Sequence, residues 1–207
     1  MSSVSIIGLG SMARAIGARA VEGGHTVEVI GRDAVKAEEV AAALGGGATA
    51  GTFGTTPAGD LVILAVPHAG GVPVVTQYGD ALAGKVVIDI SNTFAGPDDT
   101  ALVTPEGSSG AQEIAKAAPA SAHVVKAFNT VFGHVLARGG PLDVVFAGDD
   151  AGAKARVSAF IESLGLRPLD AGGLEMAHWL EGAGLLLMGL ARSGAGFDVA
   201  LGVTIFE

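Results

Sequence analysis

An α/β protein with a Rossmann-type, doubly wound and mostly parallel sheet, followed by a small C-terminal helical region, is predicted by three features of the chain. The apolar run Val4-Ser5-Ile6-Ile7 leads directly into Gly8-Leu9-Gly10-Ser11-Met12-Ala13, a G-x-G-x-x-A pattern placed where a strand would turn into a helix. Strand-like and helix-like segments then alternate along the chain, as a parallel sheet with crossover helices requires. Hydrophobic residues make up 49% of the sequence, much of it Ala and Val, which suits buried strands under closely packed helices. With 33 glycines in the chain, the glycine triplet is informative through its context.

The first strand is expected near residues 3–7 and the first helix over 11–22, closed by Gly23-Gly24; His25 to Ile30 forms the second strand. Ala34 to Leu44 reads as a helix stopped by Gly45-Gly46-Gly47, with a short strand near 48–53. Residues 60–66 are a buried strand stopped by Pro67, and Lys85 to Ile90 another; 68–83 cross over between them in a helix that Pro73 makes late to begin. Ser91 to Gly110 is rich in Gly, Pro, Asp, Ser and Thr and reads as a long loop at the carboxyl edge of the sheet, where ligands bind. A helix over 110–117, a strand over 123–128, a helix over 130–138 and a strand over 142–147 follow. Asp149 or Asp150 caps a helix whose apolar face is Val157, Phe160, Ile161 and Leu164. A short strand over 166–169 and a helix over 174–192 complete the chain, with a tail that docks on the body or on a second subunit. The expected division is a dinucleotide-binding domain over 1–170 and a helical segment over 171–207.

In the first turn, Gly8 permits the tight strand-to-helix reversal, Gly10 lets a pyrophosphate reach the backbone, and Ala13 lets the helix pack closely on the strand. The free N–H groups of the helix start then face the phosphates. At the end of the second strand, where an acid would bond a ribose 2′-hydroxyl, stands Gly31, followed by Arg32 and, four residues on, Lys36. Two cations there suit a 2′-phosphate, so the pattern points to NADP(H) over NAD(H). The alternative is that Arg32 and Lys36 are solvated charges while Asp33 caps the next helix.

The formal charge of −9 and the pI near 4.9 argue against a nucleic-acid or anionic-membrane partner. No cysteine is present, which excludes disulfides, thiolate nucleophiles and cysteine-held metals and fits a reducing cytoplasm. The N-terminus enters the first strand without a leader pattern, and the late apolar run Gly182 to Ala191 is too short to cross a membrane. The histidines at 25, 123, 134 and 178 have no metal-ligand spacing.

At His123-Val124-Val125-Lys126-Ala127-Phe128-Asn129-Thr130 and at Gly165-Leu166-Arg167-Pro168-Leu169-Asp170-Ala171-Gly172 the chain resembles the NADP oxidoreductases dependent on the deazaflavin coenzyme F420. The first segment is also similar to the cytosolic reductase domain of the six-transmembrane epithelial antigen metalloreductases. The resemblance implies a homodimeric Rossmann protein that passes hydride between NADPH and a flavin or deazaflavin. It puts Gly8, Leu9, Gly10, Ser11, Met12 and Ala13 on the pyrophosphate turn and Gly31, Arg32 and Lys36 at the 2′-phosphate. Ala65, Val66, Pro67 and His68 fall on the strand end bordering the cofactor; Ser91, Asn92, Ala127, Phe128, Asn129 and Thr130 fall on the loops around the nicotinamide. Without a haem-bearing membrane domain, the electrons are expected to go to a small soluble acceptor: coenzyme F420, FMN, FAD or a quinone-like molecule. From residue 155 onward the only cations besides histidine are Arg156, Arg167 and Arg192, few for an acceptor with an anionic tail.

Direct hydride transfer needs ring-to-ring positioning more than an acid or base. His68 is the candidate polar group at the ring edge, against a plain loop histidine that caps the next helix. Asn129, able to donate to and accept from a carboxamide, is the second, against a backbone-bonding asparagine at a strand end. Lys126 could anchor an anion or be an edge or salt-bridged lysine, and Asp89 could be a buried acid, with bonding to nearby backbone at the sheet's carboxyl edge the favoured reading. Ser108-Ser109 and Asp98-Asp99 read as turn and capping residues. The resemblance puts an acceptor pocket or a dimer contact at His178-Trp179, while the plainer reading, the favoured one, has Trp179 filling a helix–body interface with Leu185 and Met188. Rival classes are a non-catalytic NADP(H)-binding or redox-sensing module and an imine-reductase or hydroxyacid-dehydrogenase type enzyme. The latter carry a large helical second domain, and the hydroxyacid enzymes use a lysine on it, whereas no lysine follows Lys154 here.

Overall fold

Eight strands form one sheet in the order β10-β9-β8-β5-β4-β1-β2-β3 in the computed structural model, which describes residues 1–95 and 101–206. The strands are β1 (Ser3–Ile7), β2 (Thr26–Gly31), β3 (Thr49–Thr52), β4 (Leu61–Leu64), β5 (Val86–Asp89), β8 (His123–Lys126), β9 (Asp143–Gly148) and β10 (Arg167–Asp170). All neighbours run parallel except β8 and β9. Two short strands, β6 (Phe94–Ala95) and β7 (Ala101–Leu102), pair antiparallel inside the segment expected to be a plain loop. Asp98 and Asp99 lie outside the described residues.

Parallel pairing puts both faces of the central strands under helices, so their side chains must be apolar on both sides. Leu61, Val62, Ile63 and Leu64 of β4 are all at 1% exposure or less. Each such side chain contributes roughly 1.5–3 kcal/mol by leaving water. One face carries α1 (Ser11–Glu22), α2 (Ala34–Leu44), α5 (Gly133–Arg138) and α6 (Ala151–Ser163), with Ile6, Ile63, Ile88 and Val125 in register beneath them. Val157, Phe160, Ile161 and Leu164, the expected apolar face of α6, are buried there, and Asp150 caps that helix by accepting from the Ala153 N–H. The other face carries α3 (His68–Tyr78), α4 (Gly110–Ala117) and α7 (Ala177–Leu190).

Pro73 does not delay α3, which starts at His68 and carries the proline inside. The missing N–H costs one ladder bond and the ring crowds the Ala69 carbonyl four residues back, a local cost set against the packing of α3 on α4. The helix expected over 174–192 is a 3₁₀ turn, Leu174–Met176, followed by α7. His25 shows how β2 is tied to its surroundings: its Nδ1 accepts from the Ser2 N–H at 3.0 Å, so Nε2 carries the proton and donates to Ser163 Oγ at 2.7 Å. Burial pushes the imidazole below the usual histidine range. The tail returns to its own body: Phe197 O meets His134 Nε2 at 2.9 Å, Asp198 accepts from Arg138 at 2.7 Å, and Val203 N donates to Asp143. Arg167 holds the Asp143 carboxyl below the ordinary carboxylate range by a bidentate pair.

Candidate functional site

The sheet order reverses at β1, from which the chain goes first to β2 on one side and later to β4 on the other, and ligands of doubly wound sheets lie outside such a switch point. Gly8 ends β1 there with φ +131°, and its N–H donates to Ile30 O at 2.8 Å. A Cβ at this position would stand 2.1 Å from the Ala65 carbonyl oxygen, so the turn is possible only without a side chain. Gly10 is different. Its φ is −79° and a Cβ would meet nothing within 4 Å, so neither backbone conformation nor internal packing asks for glycine. The space outside it is what glycine preserves, as expected where a pyrophosphate approaches the chain. No side chain caps the N-terminus of α1. Ala13 is fully buried.

At the end of β2, a Cβ on Gly31 would press into Leu9 Cδ1 at 2.4 Å. The packing of Leu9 thus disfavours an acid at this position. Arg32 and Lys36 are exposed, and Asp33 caps α2 by accepting from the Lys36 N–H at 3.1 Å. The cap and the pair of solvent-facing cations coexist.

Beyond the N-terminus of α1 lies a groove of about 370 Å³ whose walls include Ser11, Met12, Asn92, Phe128, Asn129 and, from α7, Gly184, Leu187 and Met188. Asn92 and Asn129 hold each other: Asn92 Nδ2 donates to Asn129 O and Asn129 Nδ2 to Asn92 Oδ1, both at 2.9 Å. Asn129 Nδ2 also donates to Leu180 O at 2.7 Å. Its Oδ1 is buried without a partner, as is Ser91 Oγ. An unpaired buried acceptor costs about 1–3 kcal/mol, which a donor such as a carboxamide NH₂ would recover. The turn delivering Asn129 is strained, since Phe128 has φ +61° with a fully buried ring. Ala127 and Thr130 beside it are buried. Ala65 stands against the Gly8 turn, and Ala65, Val66 and Pro67 lie outside this groove's lining.

His68 is not brought to the groove. It opens α3, and its Nδ1, buried and unpartnered, sits against Gly110 at the start of α4. Trp179 does not fill an interface either: it is 66% exposed, because α7 turns Leu180, Gly184 and Leu187 inward and that column leaves residue 179 outside.

Behind the groove the structure assembles a cluster in which the salt-bridged alternative for Lys126 and the buried-acid alternative for Asp89 both hold, and of which Glu181 is the member that sequence reasoning missed. Lys126 is fully buried, and its Nζ donates to Asp89 Oδ2 at 2.8 Å, Glu181 Oε1 at 2.9 Å and the Ser91 carbonyl. Asp89 and Lys126 are register partners on β5 and β8, so the pair follows from strand alignment. Glu181 arrives from α7, 55 residues away from Lys126, and also accepts from Thr93 Oγ1 and the Gly110 N–H. The one signal was an acid on the apolar helix 174–192. Asp89 does bond nearby backbone, at the Ser91 N–H, while also pairing with the lysine.

A second groove, of about 640 Å³, runs between α1 and α5 and shares Ser11, Gly133 and His134 with the first. Arg14, Arg19 and Arg138 line it. No group of three metal-ligating side chains occurs among the described residues, nor is any helix there long and apolar enough to cross a membrane.

Residues 3–93 match the family model described as NADP oxidoreductase, coenzyme F420-dependent. The metalloreductase STEAP3 of Rattus norvegicus is 30% identical over 189 residues, which are 89% of this chain and 37% of that protein. The F420-dependent NADP reductase of Methanocaldococcus jannaschii is 32% identical over 139 residues, 64% of this chain and 62% of that protein. The chain therefore spans less than two thirds of either relative's length. Among solved structures, a candidate F420-dependent NADP reductase from Arthrobacter sp. FB24 has the same fold, with a TM-score of 0.82 at 24% identity over 93% of this chain and 95% of that one.

Proposed function

We propose, from the match of residues 3–93 to the family model described as NADP oxidoreductase, coenzyme F420-dependent, that the chain is an NADP(H)-dependent oxidoreductase passing hydride between NADPH and a flavin or deazaflavin. The observation that carries the reading is the contrast between Gly8, which the protein's own packing demands, and Gly10, the N-cap of α1, whose surroundings leave open space outside the turn. In this reading the Ser11–Ala13 N–H groups and the α1 dipole receive the pyrophosphate, and Arg32 with Lys36 takes the 2′-phosphate. The orphaned Asn129 Oδ1 accepts from the nicotinamide carboxamide, while Met12, Phe128 and α7 exclude water from the ring. The cofactor supplies the hydride; the residues present orient it. His68, lying against α4, has in this reading a supporting place and no proton to transfer.

An anionic acceptor would find Arg14 on α1 lining the second groove, with Arg19, bonded to the Leu136 and Leu164 carbonyls, and Arg138, paired with Asp198, adding positive charge beside it, in place of cations in the stretch after residue 155. Coenzyme F420 or FMN/FAD is the acceptor this favours. Residues 171–207 then supply one wall of the acceptor site through Gly184, Leu187 and Met188.

The test is NADPH oxidation with purified deazaflavin, FMN and FAD, alongside titration with NADPH and NADH. Arg32→Ala is expected to weaken NADPH binding roughly tenfold to a hundredfold, the worth of one or two charge-assisted contacts, and to leave NADH nearly unchanged. An undiminished preference for NADPH would remove the 2′-phosphate assignment. Binding without turnover on any acceptor would favour the redox-sensing alternative.

The reading includes a homodimer. Trp179, Leu186 and Leu190 are 66%, 61% and 47% exposed and fall on one side of α7 at heptad-like spacing. A two-fold axis would lay this stripe against its own copy, an arrangement closed by symmetry. Leu186→Glu is expected to convert a dimer to monomer in analytical ultracentrifugation; a wild-type protein sedimenting as monomer would refute it.

A further inference from the structure

We propose that the buried cluster Asp89, Lys126 and Glu181 makes the nicotinamide site prefer the oxidised ring, through one uncompensated negative charge held behind the site's wall. The inference rests on the reading that the nicotinamide of NADP(H) occupies the groove lined by Asn92 and Asn129. Each member of the cluster lies within three residues of a groove wall: Asp89 precedes Ile90, Lys126 comes two before Phe128, and Glu181 comes three before Gly184. The cluster is thus the second layer of that wall on three separate elements.

Its composition sets its charge. Two carboxylates share one ammonium, and the three ammonium protons are all spent, on Asp89, Glu181 and the Ser91 carbonyl. The remaining carboxylate bonds come from neutral donors, Thr93 Oγ1 and the N–H groups of Ser91 and Gly110. Formal charges therefore sum to one negative, at side chains with 1% exposure or less. Among the described residues, two histidines stand at its edge: His68, whose Nδ1 adjoins Gly110, and His178, three residues before Glu181 on α7 and bonded to the Ser108 carbonyl. A dry charge acts over many ångströms, because little water screens it. When neutral dihydronicotinamide gives a hydride, one proton with two electrons, to a flavin or deazaflavin, the ring is left with charge +1. A negative wall stabilises that product and leaves the neutral reactant almost unaffected. The bound couple is thereby biased toward giving hydride away, so the site favours NADPH oxidation.

The readout is the ratio Kd(NADP⁺)/Kd(NADPH), measured by calorimetry near pH 8, above the ordinary histidine range. Glu181→Gln keeps shape and removes the charge, and Asp89→Asn does the same from the strand, so either serves if the other fails to fold. Each is expected to raise the ratio about three- to tenfold, the scale of one charge at intermediate dielectric. Thr93→Val removes a hydrogen bond to Glu181 but no charge, and its ratio should stay within about a factor of two of wild type. A merely structural cluster would shift both affinities together. An unchanged ratio in the charge-neutralised variants, with both dinucleotides still bound, overturns the inference and leaves the proposed function standing. So does a Thr93→Val shift as large as that of Glu181→Gln. Wild-type protein binding neither dinucleotide overturns both.

Discussion

Lys126→Met is expected to destabilise the protein by about 3–5 kcal/mol, the cost of leaving a buried charge without its partner. Methionine fills much of the same volume, so packing loss is small beside the electrostatic effect. What remains is Asp89 and Glu181 converging on an apolar thioether, their oxygens having been 2.8 and 2.9 Å from the ammonium. Because Glu181 belongs to α7, the damage should appear first as release of the C-terminal segment from the sheet. The control is Lys116→Met, which removes a pair with Glu113 whose lysine is 69% exposed. Solvent screens that pair, and its loss should cost less than about 1 kcal/mol. Urea denaturation of the two variants decides the matter. Equal midpoints would mean that the cluster contributes no more than a surface ion pair.

The second large effect separates the two glycines of the first turn. Gly8→Ala must either push the Ala65 carbonyl away from a Cβ 2.1 Å distant or abandon a φ of +131°. The backbone strain alone costs about 1–3 kcal/mol, and the clash adds to it by prising β1 from β4 beside the bond from Ala65 N to Ile7 O. Loss of both stability and dinucleotide binding is expected. Gly10→Ala places its methyl in open space at an ordinary φ, so stability should stay within about 0.5 kcal/mol of wild type. NADPH affinity should nevertheless fall at least about tenfold, since the methyl occupies the approach to the backbone. Thermal denaturation paired with NADPH titration of the two variants reads both quantities. A Gly10→Ala protein that binds NADPH as wild type does would remove the pyrophosphate from this turn.

Much of the architecture was legible because it depends on local pattern. Apolar runs of four to six residues bounded by glycine or proline became β1, β4, β5 and β9 with ends shifted by a residue or two. Cap chemistry placed the starts of α2 and α6, at Asp33 and Asp150. Local pattern failed where a distant element decided the outcome. Local rules make Pro73 a late helix start, yet the rest of α3 packs against α4 and the proline is carried along. A large aromatic such as Trp179 suits an interface, yet the column Leu180, Gly184 and Leu187 occupies the face toward the body.

The chain's own order of residues determined that a strand would run into a glycine turn and a helix, and that cations would follow the second strand. Those features are encoded within about thirty positions of one another, and backbone sterics and hydrophobic periodicity act at that range. It could not determine the company of Lys126. A lone lysine in an apolar strand is uninterpretable until parallel register sets Asp89 beside it and α7 lowers Glu181 onto both. That meeting joins residues 37 and 55 positions away. Burial forces such a meeting, because a desolvated ammonium must find carboxylates wherever the fold can bring them.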